Sequence, residues 1–77
     1  MIQSLNSLLT EIRPEAEFDK SQDFFSDGFL DSFDLITFVA ALDRKYAISI
    51  EGTDILPEHF CNFDAIRSLL QKYGVAE

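Results

Sequence analysis

Cysteine, histidine, glycine and basic side chains are all scarce in this 77-residue chain, and each scarcity removes a class of function. The single cysteine, Cys61, cannot form an intrachain disulfide, which points to a reducing compartment and leaves Cys61 as a semi-buried apolar filler. With His59 the only histidine and no glycine cluster, a self-contained Ser-His-acid hydrolase would have to be built from very sparse parts. Six basic residues against fourteen acidic ones give a net charge of −8, which argues against nucleic acid as a partner, because phosphate backbones are bound by clustered Lys and Arg. No apolar run is long enough to span a bilayer, and Met1-Ile2-Gln3-Ser4-Leu5 has neither a basic start nor a continuous apolar stretch. The expectation is a soluble, cytoplasmic monomer.

Hydrophobic bulk is plentiful. Eight phenylalanines among Leu and Ile can fill one small core without a metal or disulfide staple, provided the elements are helices. Residues 1–77 are therefore expected to form a single domain, and no repeat, low-complexity segment or linker divides them. Met1 leading directly into the first helix favours a free-standing protein.

Periodicity sets the elements. Ile2, Leu5, Leu8, Leu9 and Ile12 line one helical face, and Pro14 stops that helix near Arg13. Residues 14–31 show no sustained period and predict a long loop pinned by Phe18, Phe24, Phe25, Phe29 and Leu30. Leu35, Phe38, Val39, Leu42 and Tyr46 mark the best helix in the chain, opened by Asp31-Ser32. Ala47-Ile48-Ser49-Ile50 alternates like a strand but has nothing to pair with, so it is expected to plug Ile48 and Ile50 into the core. Gly52 marks a turn, and a short helical turn around Pro57 follows. Phe63, Ile66, Leu69, Leu70 and Tyr73 then repeat at helical spacing until Gly74. The fold class expected is all-α: a small four-helix bundle of three longer helices and one short one.

Acidic residues crowd positions 15–31, where Glu15, Glu17, Asp19, Asp23, Asp27 and Asp31 face Lys20 alone. Such a patch attracts partners with basic docking surfaces and serves solubility equally well. Asp23, Asp27, Gly28, Leu30, Asp31 and Asp34 also fall at EF-hand loop positions. Phe25 occupies a ligand position there, Asp34 replaces the bidentate Glu, and no entering helix precedes the loop, so no metal site is expected.

The chemistry concentrates at Asp27-Gly28-Phe29-Leu30-Asp31-Ser32-Phe33-Asp34. Ser32 can itself cap the helix and spend its oxygen on a backbone N–H. Alternatively Asp31 caps, with Asp34 three residues on at near capping-box spacing, and Ser32 becomes the first helical residue with its hydroxyl facing solvent. A phosphodiester on that oxygen would sit at the positive end of the helix, a contribution of about 0.3–1 kcal/mol that tolerates phosphate without creating reactivity. A serine displayed in this way but not activated suits the substrate of another enzyme, so the chain is not expected to be an enzyme.

Gly28 to Asp34, continued by Ile36, Phe38, Val39, Leu42, Asp43 and Tyr46, resembles the attachment motif and second helix of acyl and peptidyl carrier proteins. The likeness extends from the first helix through Ile48-Ser49-Ile50 and Asp54-Ile55-Leu56-Pro57-Glu58-His59-Phe60 to the last helix. It implies an acyl-carrier-like fold and a phosphopantetheine arm transferred from coenzyme A to Ser32 by a phosphopantetheinyl transferase using Mg2+. The arm's thiol would hold an acyl or aminoacyl group as a thioester. Asp31 and Asp34 would help dock the transferase, and Phe33, Ile36 and Ala40 match apolar positions that partner enzymes touch. Implied partners are a loading ligase, adenylation enzyme or acyltransferase, and downstream synthases. Phe33 stands where the family usually has Leu or Met, and Thr37, Ala41, Arg44 and Lys45 leave the outer face of this helix with few of the acids typical of fatty-acid-synthesis carriers. The resemblance is therefore closer to free-standing aminoacyl, peptidyl and D-alanyl carriers of dedicated biosynthetic pathways than to bulk fatty-acid synthesis. The rival reading is an acidic helical adapter that binds a partner through an apolar groove and is never modified.

Overall fold

A computed structural model describes residues 2–75. Three α-helices carry the fold: α1 (Ile2–Ile12), α2 (Ser32–Tyr46) and α3 (Phe63–Lys72). The described residues contain no strand, and the short fourth helix is resolved into two single 3-10 turns, Gly52–Asp54 and Pro57–His59. A third such turn, Phe18–Lys20, lies in the long first loop. No helix among the described residues is long and apolar enough to cross a membrane.

The apolar stripes meet as their spacing predicts. Leu5 and Leu9 of α1, Leu35, Phe38, Val39 and Leu42 of α2, and Ile66, Leu69 and Leu70 of α3 are buried in one cluster. Ile2, at the start of the first stripe, is instead exposed. The connecting segments add bulk to the helices, since Phe18, Phe24 and Phe60 are fully buried alongside Phe38 of α2. Phe18 meets Phe24 edge-to-face at 5.0 Å and Phe29 at 5.7 Å, while Phe24 meets Phe63 at 5.2 Å. Such pairs add about 0.5–1.5 kcal/mol beyond the area they bury. The Phe24 N–H also donates to the Cys61 carbonyl at 2.7 Å, so the first loop is fastened to the segment that leads into α3. Cys61 itself is half-buried.

Both later helices end in a left-handed residue. After α3 the Gly74 N–H donates to the Gln71 carbonyl and the Val75 N–H to the Leu70 carbonyl, a Schellman arrangement with Gly74 at φ 82°. Ala47 takes the equivalent place after α2 at φ 55°, with Ile48 N–H on the Asp43 carbonyl. The Asp43 side chain then accepts from the Ile50 N–H at 3.0 Å, which seats Ile50 in the core while Ile48 stays half-buried. No β pairing is needed to place this segment.

Asp54 is the anchor at the far end of the bundle. Its buried carboxylate accepts from Lys72 Nζ at 2.9 and 3.0 Å and from the Tyr73 hydroxyl, whose oxygen in turn accepts from the Glu51 N–H at 3.0 Å. Asparagine 62 caps α3 by accepting from the Ala65 N–H at 2.7 Å.

Replacing Ala47→Gly relieves left-handed backbone strain, offset in part by the flexibility glycine adds to the unfolded chain, and should stabilise by about 0.5–1 kcal/mol in thermal melts. The hydrogen bonds from Tyr73 and Lys72 hold the Asp54 carboxyl below its usual range, so its contribution is complete above about pH 4 and is lost as pH falls through the lowered folded value. The bond to Asp54 raises both Lys72 and Tyr73, so their contributions are complete below about pH 10 and are lost as pH rises through the folded values. Thermal melts across pH should show a plateau between these limits, and Asp54→Asn should lower the plateau and flatten both flanks.

Candidate functional site

The approach to α2 is built by backbone bonds in the first loop. Asp23 Oδ1 accepts from the Phe25 and Ser26 N–H groups at 3.0 Å, and the Phe24 carbonyl accepts from both Phe29 and Leu30. Gly28 completes the turn at φ 77°, a conformation that a side chain would strain. Leu30 is buried at the end of this turn, so the residues after it emerge at the surface in one direction.

At the mouth of α2 the two possible caps are resolved in favour of Asp31. Its extended backbone places Oδ1 at 2.8 Å from the Asp34 N–H, and Asp34 Oδ2 accepts from the Asp31 N–H at 3.3 Å, a complete capping box with Asp in place of Glu. Arg13, just past the end of α1, locks this box from outside. Its Nε and Nη2 both lie 2.8 Å from Asp34 Oδ2, and Nη2 lies 3.4 Å from Asp31 Oδ2. The Asp34 N–H, and then the Arg13 charge, hold the Asp31 carboxyl below its ordinary range. The bond to Asp34 raises Arg13.

Ser32 is thereby relieved of capping. It is the first residue of α2, it is exposed, and its hydroxyl has no hydrogen-bond partner among the described residues. His59 is occupied elsewhere, with Nδ1 2.8 Å from the Asp54 carbonyl oxygen, so no imidazole is hydrogen-bonded to Ser32. The oxygen is accessible, unactivated and set at the positive end of a four-turn helix.

From Ser32 an apolar strip runs along the helix. Ile36 and Ala40 follow at successive four-residue steps and Phe33 stands beside them; Phe33 is 79% and Ile36 66% exposed, and Ala40 is exposed too. Thr37, Arg44 and Lys45 share the outer surface, whereas Ala41 is half-buried. Asp31 remains on the surface, but Asp34 is only 8% exposed and turned toward Arg13. The EF-hand-like carboxylates are dispersed: Asp23 holds the loop turn, Asp27 accepts from the Ser21 hydroxyl, and Asp31 and Asp34 form the cap. Among the described residues no three metal-ligating side chains come together.

Comparison with known families matches residues 2–59 to the model of the phosphopantetheine attachment site, a span that runs from α1 through α2 to the Pro57–His59 turn. The chain belongs to this family of carrier proteins. Its members bear phosphopantetheine covalently and are not themselves enzymes. No curated protein and no solved structure matches the chain. Within this carrier the residues fit the group: one hydroxyl at a helix N-terminus is exposed and uncommitted, and the neighbouring cap is completed without it.

Arg13, which contacts both carboxylates of the cap, was hidden from sequence reasoning. Its only local signal is a cation placed between the end of an apolar helix and Pro14, and its partners lie 18 and 21 residues away. The cap assignment makes a distinction that thermal melts can check. Ser32→Ala should leave Tm within about 2 °C of the unaltered chain, because it removes no hydrogen bond and alanine is favourable in a helix. Asp31→Ala should lower Tm by several degrees.

Proposed function

We propose that Ser32 is the residue that bears phosphopantetheine, and that the arm's terminal thiol holds an acyl or aminoacyl group as a thioester for partner enzymes. The observation that carries this reading is the uncommitted Ser32 hydroxyl beside a cap that Asp31 and Asp34 complete between themselves. Among the described residues no base is hydrogen-bonded to the Ser32 hydroxyl, so the base is the transferase's to supply, together with coenzyme A and Mg2+. The phosphodiester so formed lies at the helix N-terminus, where unpaired N–H groups favour an anion.

Partner docking falls to the exposed strip. Phe33, Ile36 and Ala40 offer an apolar contact next to the arm, Asp31 adds a charge at its root, and Asp34 serves docking by holding Asp31 in place. The only acids within α2 are Asp34, turned to Arg13, and Asp43, which binds the Ile50 N–H. That leaves the outer face of α2 apolar and, at Arg44 and Lys45, basic. An electrostatic surface of this kind suits a loading ligase or adenylation enzyme and synthases with an apolar socket, in a dedicated cytoplasmic biosynthetic pathway, over the basic docking surfaces of bulk fatty-acid synthesis.

Intact mass spectrometry after incubation with coenzyme A, Mg2+ and a broad-specificity phosphopantetheinyl transferase should show one phosphopantetheine adduct, and none on Ser32→Ala. A folded wild type that stays unmodified while a control carrier is converted would favour an unmodified adapter that uses the Phe33 and Ile36 surface.

A further inference from the structure

Two carboxylates a few ångströms apart at one helix mouth repel each other, and a capping box made from Asp31 and Asp34 contains just that pair. The helix dipole offsets part of the repulsion, and Arg13 offsets more of it by contacting both acids at once. Ser32 is the competing cap. If the box opens, its hydroxyl can bond an N–H of the first turn, as serine commonly does, and it is then no longer free to attack.

We infer that Arg13 is a positioning residue for modification: by bracing Asp34 and Asp31 across the α1–α2 junction it keeps Asp31 as the cap and the Ser32 hydroxyl available. The inference rests on Ser32 being the attachment site. Arg13 acts through its two partners, since its guanidinium is bonded to the carboxylates and the Ser32 hydroxyl has no hydrogen-bond partner among the described residues. Glu15, the other acid near the guanidinium, is 3.7 Å away and sits on the loop side. Charge alone predicts the opposite sign, because removing a cation from an acidic surface speeds encounter with a basic transferase.

The test is steady-state phosphopantetheinylation of the full chain, read together with hydrogen exchange at the Asp34 amide, which reports the Asp31 cap. Arg13→Gln should lower kcat/KM by roughly three- to tenfold, as the competent population falls, and should speed Asp34 exchange. Asparagine at position 34 accepts from the Asp31 N–H without like-charge repulsion, so adding Asp34→Asn to Arg13→Gln should restore most of the loss. Asn62→Ala, which weakens the distant cap of α3, should lower Tm while leaving kcat/KM unchanged. Should Arg13→Gln fail to fold, Arg13→Lys carries the same test, because an ammonium keeps the charge but lacks the planar fork that spans both acids, so its rate should fall by a smaller factor. A wild type that is modified while Arg13→Gln matches or exceeds it overturns the positioning role alone. A wild type that is not modified at all overturns the Ser32 assignment, and this role with it.

Discussion

The contact between Arg13 and Asp34 is the constraint on which the organisation of the site depends. A carboxylate as enclosed as that of Asp34 is costly unless it is both paired and hydrogen-bonded, and here it is both. One oxygen accepts from a guanidinium at the end of α1 and from the Asp31 backbone at the start of α2. The same interaction therefore ties the end of α1 to the start of α2 and supports Asp31 as the cap of the second helix. Freedom at Ser32 is a by-product of that commitment, since the hydroxyl is spared because its neighbours satisfy each other.

The rest of the molecule repeats this division between fastened ends and an open surface. Asp54 performs at the α3 end what Asp34 performs at the α1–α2 junction, gathering Lys72 and Tyr73 onto one buried carboxylate. Between these two polar anchors the core is packed with phenylalanine drawn from loops as well as helices, so the long first loop is held by its own aromatic side chains. Among the described residues the most exposed large apolar groups, Phe33 and Ile36, lie on the outer face of α2, directly beside the serine. A carrier has two jobs, to be modified and to be recognised, and on the function proposed for Ser32 both fall on that one helix.

Much of this was legible from the order of residues alone. Helical periodicity located all three α-helices, because burial of one stripe imposes three- and four-residue spacing whatever the neighbouring element is. The aromatic loop followed from the lack of a sustained period over residues 14–31, and the insertion of Ile50 from the lack of any pairing partner for a lone short strand, although Ile48, expected beside it in the core, is only half-buried. The short helical turn expected around Pro57 is present as the 3-10 turn Pro57–His59, and a second such turn, Gly52–Asp54, precedes it, each closed by its own local carbonyls. Ala47 at a helix end carries no glycine signal, so its left-handed conformation was invisible until the backbone showed it.

At the site the sequence by itself determined the candidates: a serine between two aspartates, an apolar residue after it, and a helix that begins there. Residue spacing made Asp31 and Ser32 rival caps and could not choose, because both satisfy the same local geometry. The choice was made by Arg13, whose partners lie 18 and 21 residues along the chain. Tertiary structure alone also turned Asp34 inward and left Asp31 at the surface, though the two look alike in the motif. Local rules govern which residues can end a helix; which of them does so here is set by a charge delivered from another one.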